Sequence, residues 1–125
     1  MEGHGLCLFV VVIVLVGVSV GLQIPGGWTD ESVENTGVKN AAKFATKELS
    51  SGFSSIYHHK LVKIHKARTQ VVSGVNYEVL IEIATTTCKK NEVPLEDVEN
   101  CEIAVNEEKH LCKATVWVQR MGSTY

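Results

Sequence analysis

The chain has 125 residues, and 12 Lys and Arg against 14 Asp and Glu give a formal net charge of −2. This length favours one domain. The small net charge argues against nucleic acid as a partner, because such partners attract a strongly positive protein. The charge is uneven, since a basic segment at 58–68 precedes an acidic region at 92–108. A basic segment of this kind is either a polyanion site or, more often, the solvated face of a strand.

Residues 1–21 are predicted to be a secretory signal peptide. Leu6–Val16 is an unbroken apolar run, and small residues follow it at Gly17, Ser19 and Gly21. This layout is typical of secreted proteins, and the run is short for a membrane span. We expect cleavage after Ser19, Gly21 or Gln23, which leaves one extracellular domain over 22–125 with no membrane attachment. The alternative is a retained signal anchor, since no Lys or Arg precedes the run.

The domain begins with a loose lead-in, in which Pro25, Gly26 and Gly27 resist regular structure. Trp28 is conspicuous beside this flexible stretch. A helix is predicted from about residue 35, because apolar residues recur at helical spacing and so line one face. These residues are Val38, Ala41, Ala42, Ala45 and Leu49. The Ser-Ser-Gly sequence at 50–52 is expected to end the helix.

Strands are predicted after the helix. Segments 61–72 and 75–83 are rich in β-branched residues, and the second alternates apolar with polar residues. Two more strands are predicted over 102–105 and 110–118, after a loop. One helix followed by hairpin-connected strands indicates an α+β fold, with one α-helix packed across a twisted antiparallel β-sheet.

The two long strands meet at Ser73 and Gly74, a pair of residues that predicts a tight turn. Val71 and Val72 come directly before this turn, where a hairpin normally carries polar residues. The valines either fold back onto the protein's own core or form a surface that another molecule covers. The pentapeptide from Gln70 to Gly74 does not decide between these two interpretations.

Cysteine use fits secretion. Cys7 lies in the predicted signal peptide, which leaves Cys88, Cys101 and Cys112 in the domain. In an oxidising compartment we expect a disulfide between Cys88 and Cys101, which closes a short loop. Cys112 is then expected to be unpaired, as a buried apolar residue, a thiol awaiting another chain, or the remainder of a pair whose partner is missing.

The residues that an enzyme would need do not form a pattern. The histidines lack the spacing of a metal site, so no metal and no cofactor are expected. Cys112 with a histidine is a weak candidate for a nucleophile, because it lies within an apolar strand, where a thiol is usually inert. The sequence therefore favours a binding protein over an enzyme.

The order of motifs resembles the secreted, disulfide-bearing (type 2) cystatins. It comprises a signal peptide, Gly26–Gly27 in a loose N-terminal trunk, one amphipathic helix, the motif Gln-Val-Val-Ser-Gly-Val-Asn-Tyr at 70–77, a paired-cysteine loop and a late strand. The resemblance covers nearly all of 24–121. It implies an inhibitor of papain-like cysteine proteases of the cathepsin L, B and S types.

The resemblance also implies a mechanism, in which a wedge of three elements blocks the protease cleft reversibly and competitively. The first element is the trunk, with Ile24, Pro25 and Gly26. The second is the first hairpin, with Gln70, Val71, Val72, Ser73 and Gly74. The third is a second hairpin, to which Trp117 and Met121 belong.

The chain departs from the family pattern in three places. The stretch where the family's second hairpin carries Pro-Trp reads Val118-Gln119-Arg120-Met121 and contains no such pair, and Trp117 matches a strand aromatic of the family. The family's last strand and fourth cysteine are missing after Tyr125, so we expect a monomer with an open sheet edge, which offers a route to dimers. Ser54 stands where some cystatins carry an asparagine that inhibits legumain-type proteases, so no such inhibition is expected.

These departures keep a second hypothesis open. The alternative function is a non-inhibitory, secreted cystatin-like module that binds polyanions or forms oligomers. The intact motif at 70–77 favours the inhibitor, whereas the missing Pro-Trp pair and the basic strand leave room for the alternative.

Overall fold

The computed structural model describes residues 4–8, 12–15 and 27–119, the first two ranges by their backbone alone. Its elements are strands, one α-helix and one 3₁₀-helix. In chain order they are β1 (His4–Leu8), β2 (Val12–Leu15), β3 (Thr29–Asp30), α1 (Thr36–Gly52), β4 (Tyr57–Val72), β5 (Gly74–Lys89), the 3₁₀-helix (Leu95–Asn100) and β6 (Lys109–Gln119).

Helix α1 confirms the apolar stripe of the sequence. The Asn35 side chain caps its first turn by accepting a 3.0 Å hydrogen bond from the backbone N–H of Val38. Val38, Ala42 and Ala45 are fully buried against the sheet. The small alanines let the helix lie close to the sheet, where Val79, Ile81 and Ile83 of β5 complete the core. Among the described residues, no helix is long and apolar enough to cross a membrane.

The sheet confirms the predicted antiparallel hairpin. β4 and β5 pair in register up to Val72 and Gly74, with Ser73 alone between them. β6 pairs antiparallel with β5, and the short β3 pairs antiparallel with β4. The helix and these four strands form the expected α+β architecture. The predicted strand at 102–105 is wrong, because Ile103 makes only an isolated bridge to Thr86.

The outer edge of β4 is irregular. β3 covers this edge only at Arg68 and Thr69. The register of β4 against β5 shifts between Tyr57 and His59, between Leu61 and Lys63, and between Ile64 and Lys66. Each shift bends the strand and strengthens its local twist.

The other edge of the sheet is covered. β1 and β2 both pair parallel with β6, from His4 opposite Lys109 to Leu15 opposite Gln119. The edge that was expected to be open is therefore paired in this structure. Both strands belong to the segment predicted to be a signal peptide, and its cleavage stays a prediction.

The cysteines agree with one expectation and correct another. Cys88 and Cys101 form the expected disulfide, with Cα atoms 6.0 Å apart. The expectation that Cys112 is unpaired is wrong, because this residue is disulfide-bonded in the structure. Cys7 was expected to be lost with the signal peptide, whereas the pairing of β1 with β6 places it directly opposite Cys112.

Candidate functional site

The first hairpin ends in a tip whose backbone is fixed by β6. Gly74 has φ = 107°, a conformation that favours glycine. A Cβ atom at Gly74 would clash with the carbonyl oxygen of Val118 and lie 2.9 Å from the Cα of Gln119. Position 74 therefore requires glycine for two reasons, its positive φ angle and the close approach of the neighbouring strand.

A hydrogen bond from β6 reaches the same turn. The indole Nε1–H of Trp117 donates to the carbonyl oxygen of Ser73 at 3.0 Å. Below the tip, the side-chain amide of Asn76 donates to Oε1 of Gln70 at 3.1 Å, across the β4–β5 ladder. The first contact holds the tip to β6, and the second joins the two strands of the hairpin just below the turn.

The valines of the tip differ in exposure. The side chain of Val71 is 59% exposed, while Val72 is half-buried. Neither valine belongs to the buried core of the described residues, which favours the second of the two interpretations, a surface that another molecule covers. A fixed backbone that presents an apolar side chain to solvent is suited to enter an apolar cleft.

Three chain segments meet at this end of the sheet. The N-terminal end of β3 approaches Gln70, because Thr29 pairs with Thr69 in antiparallel register. The C-terminal end of β6 lies on the other side, with Val118 opposite Val75. The structure thus brings together the pentapeptide, Trp117 and the start of the described domain at Gly27. Four further candidates, Ile24, Pro25, Gly26 and Met121, lie outside the described residues.

One contact at this end was not predicted from the sequence. The guanidinium of Arg68 lies 5.0 Å from the ring centre of Trp28, in cation–π geometry. Arg68 is also bound by Glu78 of β5, with Nη2 at 2.6 Å and Nε at 2.7 Å from Oε1. In the sequence, the contact is indicated only by a tryptophan beside two glycines. Its partner, Arg68, is 40 positions away, so local sequence does not reveal the pair.

The opposite end of the sheet holds a cluster of histidines. His59 is buried, and its ring contacts those of Phe53 and His110 at centroid distances of 4.7 and 5.7 Å. Burial, followed by the charges of His110 and Lys90, lowers the pKa of His59 from 6.5 to about 4. His59 is therefore neutral near pH 7. No group of three or more metal-ligating side chains occurs in the part of the chain that the structure describes.

Comparisons with known proteins agree with this architecture. The family model described as "Cystatin domain" matches residues 26–120. L-cystatin of Tachypleus tridentatus is 64% identical over 119 residues, which are 95% of this chain and 87% of that protein. Cystatin-1 of Chilobrachys guangxiensis is 35% identical over 112 residues, 90% of this chain and 83% of that protein.

Two solved structures share the fold. Dimeric human cystatin F has a TM-score of 0.66 at 28% identity, covering 82% of this chain and 83% of its own. The salivary cystatin of the soft tick Ornithodoros moubata has a TM-score of 0.63 at 33% identity, covering 75% of this chain and 84% of its own.

The chain belongs to the cystatin family. Cystatins bind papain-like cysteine proteases as inhibitors and are not enzymes, so the function of this protein is inhibition of cysteine proteases. The resemblance inferred from the motif at 70–77 is thereby confirmed.

Proposed function

We propose that the hairpin end of the sheet enters the active-site cleft of cathepsin L, B and S types of protease as a reversible, competitive wedge. The wedge comprises the trunk at 23–26, the pentapeptide Gln70–Gly74, and the end of β6 with Trp117 and Met121. The observation that carries the proposal is the exposed Val71 on a tip held by Gly74 and by the Trp117–Ser73 hydrogen bond.

Energetics support a wedge of several elements. Full burial of an exposed valine contributes about 1.5–3 kcal/mol, so Val71 and the half-buried Val72 each contribute at most this amount. Association costs roughly 4–15 kcal/mol in lost freedom and ordering. The first hairpin alone therefore gives marginal affinity, and the trunk and the end of β6 supply the remainder. The rigid tip lowers the ordering cost, since its backbone is already in one conformation.

The decisive experiment compares two exposed valines at opposite ends of the sheet. Val71→Asp places a charge on the hairpin tip, and we expect it to raise the inhibition constant for papain at least tenfold. Val105→Asp is the matched control, because Val105 is 80% exposed and lies in the turn before β6, near the histidine end. Equal inhibition by both variants would exclude the hairpin as the contact surface. Absence of inhibition by the wild type at micromolar concentration would overturn the whole proposal.

We further propose that residues 1–21 direct the protein to the extracellular space as a cleaved signal peptide. The apolar run followed by small residues supports this, and so does the salivary origin of the Ornithodoros moubata relative. N-terminal sequencing of protein from the culture medium should give a first residue between 20 and 24. An intact Met1 on the exported protein would contradict the proposal.

The charge arrangement of the basic strand disfavours the polyanion alternative. Arg68 is paired with Glu78, His65 contacts Glu82 at 2.9 Å, and Lys60 donates to backbone carbonyl oxygens. Three of the basic side chains of β4 are thus engaged within the domain, which weakens the case for a polyanion-binding surface.

A further inference from the structure

We propose that Trp28, held by Arg68, is a positioning residue that sets the direction in which the trunk leaves the domain, and so the trunk's share of protease affinity. This inference rests on the proposed wedge and deepens it. It concerns Trp28, the residue that follows Gly27 at the start of the described domain.

The first step concerns the start of the described domain. A Cβ atom at Gly27 would have no heavy atom within 4 Å, so no described side chain packs against this residue. Trp28 follows immediately, is half-buried and contacts Arg68. After it, β3 contributes only the two residues Thr29 and Asp30 before Glu31 donates its backbone N–H to Ala67 at 2.9 Å. Among the described residues that follow the trunk, Trp28 is thus the first with a side-chain contact to the sheet.

The second step is the rigidity of that contact. Oε1 of Glu78 contacts two nitrogen atoms of the Arg68 guanidinium, Nε and Nη2. Oε2 of Glu78 lies 3.6 Å from Nζ of Lys113 on β6. A chain of charges therefore crosses three strands and holds the plane of the guanidinium. A planar guanidinium held in this way favours one position of the indole ring over it. The ammonium group of a lysine is not planar and would not fix the ring in this way.

The third step connects this contact to affinity. The antiparallel pairing of Thr29 with Thr69 points the N-terminal end of β3, at Trp28 and Gly27, toward the hairpin tip. Loss of the indole contact would leave Gly27 and Trp28 without this anchor to β4, so more backbone would have to be ordered when a protease binds. The cost would fall on the trunk and leave the first hairpin unchanged.

The experiment is a double-variant cycle between the indole and the trunk, on the secreted protein. Trp28→Ala and a deletion of 23–25 are measured alone and together, with inhibition constants and dissociation rates for papain. We expect Trp28→Ala to raise the inhibition constant about 3- to 10-fold, mainly through faster dissociation. In the protein without 23–25, the same substitution should change the inhibition constant less than twofold.

Two further variants separate positioning from folding. Arg68→Lys keeps the charge but loses the planar fork, and should show a smaller loss that also vanishes without 23–25. Lys66→Ala removes an exposed cation two positions away and should leave inhibition unchanged. An equal loss from Trp28→Ala with and without the trunk, or no loss in either protein, would overturn this inference alone. Absence of inhibition by the wild type would instead overturn the proposed function.

Discussion

The indole nitrogen of Trp117 lies 3.0 Å from the carbonyl oxygen of Ser73 and donates a hydrogen bond to it. This bond joins the last described strand to the turn of the first hairpin, although 44 positions separate the two residues. In the proposed wedge, the aromatic residue of β6 therefore acts partly through the first hairpin, whose turn it fixes.

Trp117→Phe should weaken inhibition without unfolding the protein. Phenylalanine keeps an aromatic ring but loses the donor to Ser73, so the tip becomes more mobile before binding. We expect the inhibition constant for papain to rise about 3- to 10-fold, with a loss of about 0.5–1.5 kcal/mol in the free energy of unfolding. Amide hydrogen exchange at 71–75 should become faster. A lower melting temperature with unchanged inhibition and exchange would refute this role.

Gly74→Ala should destabilise the protein by about 1–3 kcal/mol. The new Cβ would meet the Val118 carbonyl, and alanine is disfavoured at φ = 107°. Gly52→Ala is the matched control, because a Cβ atom at Gly52 has no heavy atom within 4 Å. We expect urea denaturation to show a change below about 0.5 kcal/mol for that control. Similar losses for the two variants would argue against the close approach of β6 to the turn.

Stability should fall as the pH drops from 6.5 to about 4, in part because of His59. The folded protein keeps His59 neutral until the pH reaches its pKa of about 4, whereas the unfolded chain takes up the proton near 6.5. The unfolded state therefore binds more protons within this window, which costs up to about 3 kcal/mol. Below about pH 4 this group causes no further loss.

Urea denaturation at pH 7.5, 6.0 and 4.5 tests that expectation. His59→Gln removes the titrating group and should give a flatter dependence of the unfolding free energy on pH. His65→Gln is the control, because His65 is exposed on the outer face of the sheet. An unchanged pH dependence in His59→Gln would contradict the role of His59 in the loss of stability.

Removing the disulfide of the β5–β6 loop should lower stability but leave inhibition intact. Cys88 and Cys101 are separated by 13 positions, and closing a loop of this size is worth about 3 kcal/mol in the chain-entropy model. The double variant Cys88→Ser with Cys101→Ser should therefore melt at a lower temperature. Its inhibition constant at a temperature where it stays folded should match the wild type, because the loop lies far from the hairpin tip. A parallel loss of inhibition would place part of the binding surface in this loop.

Local patterns in the sequence predicted the helix and the long hairpin well. The stripe from Val38 to Leu49 and the alternation around Ile81 are set by neighbouring residues, so periodicity reveals them. The prediction of a strand at 102–105 was wrong because local residues do not show how far a segment pairs with a distant one. Here the pairing is limited to an isolated bridge between Ile103 and Thr86.

The contacts that sequence reasoning missed are all long-range. β3 has two residues and no pattern of its own, so its pairing with Thr69 could not be foreseen. The Trp28–Arg68 contact follows from that pairing and was missed with it. Cys112 was wrongly expected to be unpaired because residues 1–21 were taken as cleaved, whereas in the structure β1 lies beside β6.

The irregular edge of β4 has a consequence for the protein at high concentration. A regular, uncovered edge strand invites the edge of another molecule to continue the sheet, which is a common route to aggregation. Here the register shifts, and the exposed Lys63 and Lys66, would place bends and like charges where a second strand would have to align. Lys63 and Lys66, part of the basic segment that first suggested a polyanion site, would thus disfavour association between copies, and we expect concentrated solutions to remain free of sheet-to-sheet association along β4.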